Sequence, residues 1–337
     1  MSPGVGRVGE SVQGYDIIGD IHGCATLLKK LLDSLGYRSG SGSYRHQERT
    51  AVFVGDLVDR GSEQREVLEI VKAMVDSGAA HIAMGNHEFN AVAFATEDPR
   101  KPGEFMRRHE EKNVRQHRAF LDQLTLDQRI FYLDWFKTLP LWVDLGGVRV
   151  VHACWHSDSM RVVEKICGSN RLRTTANFIE AATKGTELYE AVEILLKGPE
   201  ISLTDLGHPP YRDFGGAPRT KARVRWWDQD ACTLRDVADV RGVTLLDGSP
   251  YPPLPADPVD EFYRSVIYTE PVPVIYGHYW FQWERHREDW TTHTACVDFS
   301  AVAGGKLVAY RWNGEPTISW ENYVPHTVDV VAREPSA

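Results

Sequence analysis

Short apolar runs alternate with helix-like stripes through the first quarter of the chain. Each of the runs at residues 15–19, 51–54 and 81–84 stops at a glycine that a polar residue follows, as buried strands often do. Apolar residues at helical spacing fill the intervals: Leu27, Leu28, Leu31, Leu32 and Leu35, then Val67, Ile70, Val71, Met74 and Val75. This alternation predicts an α/β fold with a largely parallel sheet, whose functional groups gather beyond the carboxyl ends of the strands.

The pattern changes in the middle of the chain and returns near its end. Residues 125–138 are typical of an amphipathic helix with a threonine cap. The next predicted elements are strands, at residues 141–145, 148–151, 272–276, 294–299 and 306–312, the first two forming a hairpin around a Gly-Gly turn.

Residues 155–270 lose the strand–helix alternation. They contain a helical pattern at 178–196 and a segment rich in glycine and proline. We interpret residues 155–270 as an inserted cap on a single catalytic domain, whose core comprises residues 1–154 and 271–337. The strongly charged segment 97–123 is predicted to be a solvated helix or excursion without a functional site.

Charge, apolar stretches and cysteine content argue against several classes of protein. The net charge of −9 argues against broad binding to nucleic acid or to an anionic membrane. No apolar stretch is long enough to span a bilayer, and the first residues lack the layout of a secretion signal, which indicates a cytoplasmic protein. The five cysteines are widely spaced without a CxxC pair, so they are interpreted as reduced thiols.

Polar clusters follow the first three predicted strands. Asp20 and His22 stand two residues apart, an arrangement that by itself is usually a surface turn. Asp56 follows the second strand and Asn86 the third, each directly after a glycine. Three such strand ends in succession indicate a metal site at one edge of a sheet.

These clusters carry a resemblance to a known family. GDIHG at 19–23, GDLVDRG at 55–61 and GNHE at 85–88 resemble, in order, the blocks of the phosphoprotein-phosphatase type of calcineurin-like metallophosphoesterases. The likeness extends through VHA at 151–153, YGH at 276–278 and the closing strands. It implies a two-sheet β sandwich flanked by helices, with the inserted segment closest to bacterial bis(5'-nucleosyl)-tetraphosphatase-like members.

The resemblance also implies a pair of divalent metal ions. One ion would be held by Asp20, His22 and Asp56, and the other by Asp56 together with Asn86, His152 and His278. Mixed imidazole and oxygen ligands favour manganese, with iron or zinc as alternatives. Two such ions can share a hydroxide that attacks phosphorus.

The remaining roles follow from the same resemblance. His87 would protonate the leaving oxygen, Asp59 would orient its ring, and Arg60 would bind the phosphate oxygens. A second phosphate clamp is assigned to Arg225, with Arg223 close behind because the two are spaced to share one strand face.

For four other residues near the predicted site or in the cap, a structural role is favoured over a functional one. Trp226, Trp227 and Tyr279 are interpreted as core aromatics. His156 is an additional histidine near the predicted second metal, for which substrate contact is the less favoured role.

The resulting hypothesis is an enzyme, a dinuclear metallophosphatase that acts on a phosphomonoester or a nucleoside polyphosphate. Three alternatives stay open: a protein Ser/Thr or Tyr phosphatase, a phosphatase that processes nucleic-acid ends, and a phosphate sensor without catalysis. The cap favours a small substrate over a protein, and no membrane partner is expected.

Overall fold

The computed structural model describes residues 14–213, 215–284 and 290–327. Its helices are α1 (Ala25–Leu35), α2 (Gln64–Asp76), α3 (Asn86–Ala95), α4 (Glu111–Gln123), α5 (Leu126–Phe136), α6 (Ser157–Cys167), α7 (Thr175–Ala181), α8 (Glu187–Lys197), α9 (Leu234–Val237) and α10 (Glu261–Ser265). Residues 1–13, for which the sequence predicts no secretion signal, lie outside the described part.

The strands of the described residues build two main sheets and three small ones. They are β1 (Gly14–Ile18), β2 (Arg38–Gly40), β3 (Ser43–Arg45), β4 (Arg49–Phe53), β5 (Ala80–Ile82), β6 (Trp142–Asp144), β7 (Arg149–Val151), β8 (Glu200–Ser202), β9 (Tyr211–Arg212), β10 (Pro218–Arg219), β11 (Lys221–Val224), β12 (Ala238–Asp239), β13 (Thr244–Leu245), β14 (Val274–Tyr276), β15 (Thr294–Cys296), β16 (Asp298–Phe299), β17 (Lys306–Trp312) and β18 (Tyr323–Pro325).

The first main sheet is mixed and has β1 at its centre. Strands β1, β4 and β5 run parallel in that order, and β17 pairs antiparallel with β1, β16 and β18. The register aligns Ile18 with Phe53 and Phe53 with Ile82. The three parallel strands therefore end at one edge, as the sequence predicts.

The second main sheet has the order β15-β14-β7-β6. Strand β14 pairs parallel with β15 and β7, and β6 and β7 form the predicted antiparallel hairpin. The central strands of both main sheets are buried along almost their whole length, and one continuous hydrophobic core includes residues of both sheets. These sheets and helices confirm the predicted α/β class.

The helical stripes in the first part of the chain are confirmed. Leu28, Leu31, Leu32 and Leu35 face the core from α1, and Thr125 caps α5 by accepting a hydrogen bond from the backbone N–H of Gln128. The predicted helix at 178–196 is instead two helices, α7 and α8. The chain breaks between them at Gly185, where φ is +92°, a conformation that favours glycine.

The predicted cap contains α6 to α10 and the small sheets β8-β11-β12 and β10-β9-β13. It is tied to the core at several points, for example by the backbone N–H of Ala153, which donates to Leu195. Its boundaries as a unit stay a prediction. In the part of the chain that the structure covers, no helix is both long and apolar enough to cross a membrane.

Candidate metal centre and active site

The six predicted metal ligands lie together where strands of both main sheets end. Asp20 and His22 follow β1, and Asp56 and Asn86 follow β4 and β5. His152 and His278 come from the second sheet, directly after β7 and close after β14. All but His278, which is partly exposed, are buried.

The backbone around the cluster is strained. His22, Asp56, Asp59, Arg60 and His278 have φ between +44° and +72°, in the left-handed region that L-residues rarely adopt. Such conformations concentrate at functional sites, where the surrounding structure offsets their cost of about 1–3 kcal/mol each.

Two glycines allow the polar groups to crowd together. A Cβ added to Gly277 would lie 2.1 Å from an oxygen of Asp20, and one added to Gly85 would lie 2.2 Å from the backbone nitrogen of Asp56. Neither contact is sterically tolerable, which explains why each of these strand ends carries glycine.

Asp56 lies between two groups of atoms that could hold a metal ion. Its Oδ2 is 3.5 Å from Nε2 of His22, and its Oδ1 is 3.5 Å from Nε2 of His152. On the second side, Oδ1 of Asn86 lies 3.0 Å from His152 Nε2 and 2.9 Å from His278 Nδ1. Asp20 accepts a hydrogen bond of 3.2 Å from the backbone N–H of His278, which places its carboxylate beside the cluster.

The tautomers of two histidines fit a cation. His22 Nδ1 donates to the carbonyl of Val58 at 2.8 Å, and His152 Nδ1 donates to Val54 at 2.9 Å. In the neutral rings the lone pair therefore lies on Nε2, the atom that faces Asp56. Within the described residues, His22 Nε2 is buried without a hydrogen-bond partner. Lone pairs that face carboxylate oxygens repel unless a cation lies between them, so these residues fit a metal site.

The cluster is electrostatically unbalanced without a cation. Burial raises the pKa of Asp20 well above its usual value, and the carboxylates of Asp298 and Asp56 raise it further. Burial, with His87 and Arg60, lowers the pKa of His22 to about 3. The histidine is therefore neutral and ready to bind a metal, and a bound cation would relieve the repulsion among the carboxylates.

Distances alone define two groups that could hold a metal: His22, Asp56 and His87, and Asp56, His152 and His278. The first group contains His87, for which the sequence predicts a different role. His87 Nε2 is 3.8 Å from Asp56 Oδ2, but its Nδ1 is already bound to Asp59. Asp20 belongs to neither group, so its role as a ligand stays a prediction.

Asp59 holds two histidines at once. Its Oδ2 accepts from Nδ1 of His87 at 2.6 Å, and its Oδ1 accepts from Nδ1 of His117 at 2.8 Å. Burial alone would raise the pKa of Asp59, but the bonds from His117 and His87 outweigh it and lower the pKa. For His87 burial is opposed by Asp56 and Asp59, so that the pKa is raised above its ordinary value. His87 is thus favoured in its charged, proton-donating form.

The structure places Arg60 beside the cluster, and of the two candidate clamp arginines it brings Arg223 nearer to it than Arg225. Arg60 stacks on the ring of Trp280, 4.0 Å from its centroid, and approaches His87 Nε2 to 3.4 Å. Arg223 reaches the carbonyl of His278 at 3.3 Å. The structure does not bring Arg225 to the cluster, because Arg225 pairs with Asp228 at 2.8 Å.

The aromatic residues of the cap and His156 have structural partners. Trp226 and Trp227 are buried, and Trp226 Nε1 donates to the hydroxyl of Tyr279 at 3.0 Å, which confirms the prediction of a core role. His156 bonds the hydroxyl of Ser159 at 2.8 Å at the start of α6.

Several residues near the cluster are absent from the sequence-based assignment. Glu88 accepts from the backbone N–H groups of Asp56 and Leu57 at 2.8 Å each. Asp298 is buried and accepts from the backbone N–H of Trp280. The sequence offered a signal for both, since Glu88 ends the GNHE block and Asp298 begins the closing strands that resemble the family.

Helix α4 brings further polar groups to the cluster, from a segment in which the sequence predicts no functional site. His117 is buried against Asp59, and Nε2 of Gln116 lies 3.4 Å from His87 Nε2. A cavity of about 620 Å³ opens beside Arg60 and the outer face of this helix. The prediction of a solvated helix is confirmed for α4, most of whose residues are not buried, but one side of this helix contacts Asp59 and His87.

Comparison with known proteins agrees with this geometry. The family model for calcineurin-like phosphoesterases matches residues 15–224, which is more than half of the chain. The chain therefore belongs to the calcineurin-like phosphoesterase family, a class of hydrolases that act on phosphoester or phosphoanhydride bonds.

Curated relatives cover the chain only in part. It is 31% identical over 140 residues to the asymmetrical bis(5'-nucleosyl)-tetraphosphatase PrpE of Oceanobacillus iheyensis. This alignment covers 41% of the chain and 54% of the relative. The chain is 31% identical over 153 residues to PrpE of Bacillus subtilis, and this alignment covers 43% of the chain and 59% of the relative. PrpE of Halalkalibacterium halodurans is 49% identical over 74 residues, 22% of this chain and 30% of the relative. The chain thus spans about three fifths or less of the length of these relatives.

Two solved structures resemble the chain over most of its length. A cold-active protein-tyrosine phosphatase of Shewanella has a TM-score of 0.47 at 17% identity, covering 94% of this chain and 81% of that one. A protein serine/threonine phosphatase of Saccharomyces cerevisiae has a TM-score of 0.46 at 14% identity, covering 95% and 80%.

Proposed function

We propose that the chain is a metal-dependent phosphoesterase that hydrolyses a phosphomonoester or a nucleoside polyphosphate. The observation that carries this proposal is the buried cluster in which imidazole lone pairs, carboxylates and an amide oxygen converge on Asp56. Family membership supports the reaction class. The names of the curated relatives, asymmetrical bis(5'-nucleosyl)-tetraphosphatases, support a nucleoside polyphosphate as substrate.

The metal ligands would divide between two ions that share Asp56. Asp20 and His22 would complete one site, and Asn86, His152 and His278 the other. When bound, the ions would supply positive charge for the phosphoryl oxygens and lower the pKa of water so that it can attack phosphorus. Manganese, iron or zinc suits these ligands.

The chain's own residues would orient the phosphate and deliver a proton. Arg60 is held by its stacking on Trp280, so its planar fork is positioned to bind two phosphate oxygens. Arg223, beside His278, takes the role of second clamp in place of Arg225. His87 donates its Nε2 proton to the leaving oxygen, while Asp59 keeps Nδ1 protonated and the ring in place.

The proposal predicts metal-dependent turnover. The purified chain should hydrolyse p-nitrophenyl phosphate with added Mn²⁺, should lose this activity after dialysis against a chelator, and should regain it when Mn²⁺ returns. The measurement is nitrophenolate release together with metal analysis of the protein. Absence of turnover of both p-nitrophenyl phosphate and a dinucleoside tetraphosphate, with manganese, iron and zinc alike, would rule out the proposed function.

A substrate panel would separate the remaining alternatives. A dinucleoside tetraphosphate, a phosphopeptide and a 5'-phosphorylated oligonucleotide should be compared by kcat/KM. We expect the dinucleoside tetraphosphate to be preferred. A preference for the peptide would favour a protein phosphatase, and one for the oligonucleotide a phosphatase that processes nucleic-acid ends.

The role of Asp59 predicts a shift in the pH profile. Because Asp59 contributes to the raised pKa of His87, Asp59→Asn should lower that pKa, and His87 should lose its proton at a lower pH. With an alkyl phosphate, the fall of kcat at high pH should therefore move by about one unit or more toward acid. An activated aryl phosphate, whose leaving group needs no acid, is the control and should show little shift. An unmoved alkyl profile would contradict the assigned role of Asp59.

A further inference from the structure

Helix α4 presents a basic face to the cavity beside Arg60. The cavity of about 620 Å³ has the size of a small-ligand site. Four cations and one carboxylate contribute to its lining: Arg60, Lys112, Arg115, Arg118 and Asp122, with Gln116 and Ala119 between them. In a chain of net charge −9, this local excess of positive charge stands out.

Within the described ranges, the two arginines of α4 have no carboxylate partner. On α2, Arg65 pairs with Glu69 and Lys72 with Asp76 at i,i+4 spacing. Carboxylates stand at the same spacing on α4, since Glu111 precedes Arg115 and Asp122 follows Arg118 by four residues. Among the residues that the structure describes, neither arginine forms an ion pair, and both line the cavity instead. If the charges on this face only neutralised one another, Arg115 and Arg118 would form i,i+4 ion pairs with Glu111 and Asp122.

The basic face is held firmly against the active site. His117, on the buried side of the helix, bonds Asp59, and the side chain of Gln123 donates to the carbonyl of Gly61 at 3.0 Å and accepts from the backbone N–H of Gln64. These contacts fix α4 to the loop that carries Arg60. The spacing between Arg60 and the cations of α4 is thus set by the fold rather than by a mobile segment.

We propose that Lys112, Arg115 and Arg118 form a second anion subsite, which binds a phosphate of the substrate beyond the one that reacts. Arg60 lines the cavity and also borders the metal cluster, so it connects the two subsites. The ligand is a small polyanion, a chain of linked phosphates, because several separated guanidinium and ammonium groups match several phosphate oxygens better than a single phosphate. This inference rests on the proposed function and adds to it the residues that select a phosphate chain.

The test compares two double variants with the same loss of charge. Arg115→Gln/Arg118→Gln removes two cations from the proposed subsite. Arg38→Gln/Arg45→Gln removes two exposed cations from the β2–β3 hairpin, which precedes β4 and so lies away from the edge where β4 ends. The probes are tripolyphosphate and orthophosphate, as inhibitors of p-nitrophenyl phosphate hydrolysis and as ligands in calorimetry.

We expect the wild-type chain to bind tripolyphosphate at least tenfold more tightly than orthophosphate. The Arg115/Arg118 variant should lose about tenfold or more in tripolyphosphate affinity. Its ratio of kcat/KM for a dinucleoside tetraphosphate to that for p-nitrophenyl phosphate should fall by a similar factor. The Arg38/Arg45 variant should retain the wild-type values, which excludes a general effect of net charge.

Three results would overturn the subsite. They are equal binding of tripolyphosphate and orthophosphate by the wild type, equal losses in the two double variants, and a loss confined to a 5'-phosphorylated oligonucleotide. Hydrolysis of p-nitrophenyl phosphate by the wild type keeps this outcome distinct from failure of the proposed function. Calorimetry tests the subsite even if turnover is absent.

Discussion

Replacement of Asp56 by asparagine should reduce kcat for p-nitrophenyl phosphate by about a thousandfold or more. Asp56 faces His22 on one side and His152 on the other, so loss of its charge affects both proposed metal sites. Charge stabilisation by metal ions contributes several kcal/mol to catalysis, and each 1.4 kcal/mol changes the rate about tenfold. The measurements are steady-state kinetics at saturating Mn²⁺ and the metal content of the purified variant, which should fall as well.

Asparagine is a suitable replacement at this position. Its side-chain oxygen can still accept the 2.9 Å hydrogen bond from the backbone N–H of His87, and asparagine tolerates the left-handed φ of +52°. Asp76→Asn at the exposed end of α2 is the control and should retain full activity. If Asp56→Asn kept its metal and its rate, the proposed centre would be wrong.

Replacement of His87 by asparagine should reduce kcat for an alkyl phosphate by about 10²–10⁴-fold, the usual contribution of a general acid. The expected loss is much smaller for p-nitrophenyl phosphate, because nitrophenolate leaves without a proton. The ratio of the two losses therefore reports proton donation specifically.

A matched control exists on the neighbouring strand. His81, on β5, is exposed, and His81→Asn should leave both substrates unaffected. Equal losses for the alkyl and aryl phosphates in His87→Asn would show that the residue binds or positions phosphate rather than protonating the leaving group. Metal content should remain near the wild-type value if His87 is not a ligand.

Much of the fold could be predicted from local pattern. The strands that precede Asp20, Asp56 and Asn86 are short apolar runs that end at glycine, and parallel strands bring such ends to one edge. The two remaining predicted ligands could not be placed by that reasoning. His152 and His278 lie far along the chain on a second sheet, and only the resemblance to a family connected them with the first cluster.

The contacts of α4 with Asp59 and His87 could not be predicted from the sequence, because this helix has many charges and few buried residues. Only His117 and Phe120 of this helix are fully buried, and two residues three apart are a weak stripe in a segment that otherwise resembles a solvated helix. Pairing of His117 with Asp59 depends on tertiary contact between distant segments, which periodicity does not report.

Arg223 and Arg225, the two candidates for a second phosphate clamp, could not be ranked from the sequence for a similar reason. Residues two apart share a face only within a strand, and β11 ends at Val224. Arg223 lies within the strand and approaches His278, whereas Arg225 lies in the turn that follows and pairs with Asp228. Arg223 and Arg225 are two residues apart, as a shared strand face requires, but the sequence does not show that the strand ends between them.

The two main sheets contribute unequal halves of one polar cluster, with Asp20, His22, Asp56 and Asn86 from the first and His152 and His278 from the second. Packing between the sheets thus sets the alignment of these polar groups. Substitutions in this apolar interface should impair turnover before they unfold the protein, since misplacement of reacting groups by about 1 Å can cost a hundredfold in rate. Mutations between the two sheets are consequently limited by the alignment of the polar groups at the strand ends as well as by the free energy of unfolding.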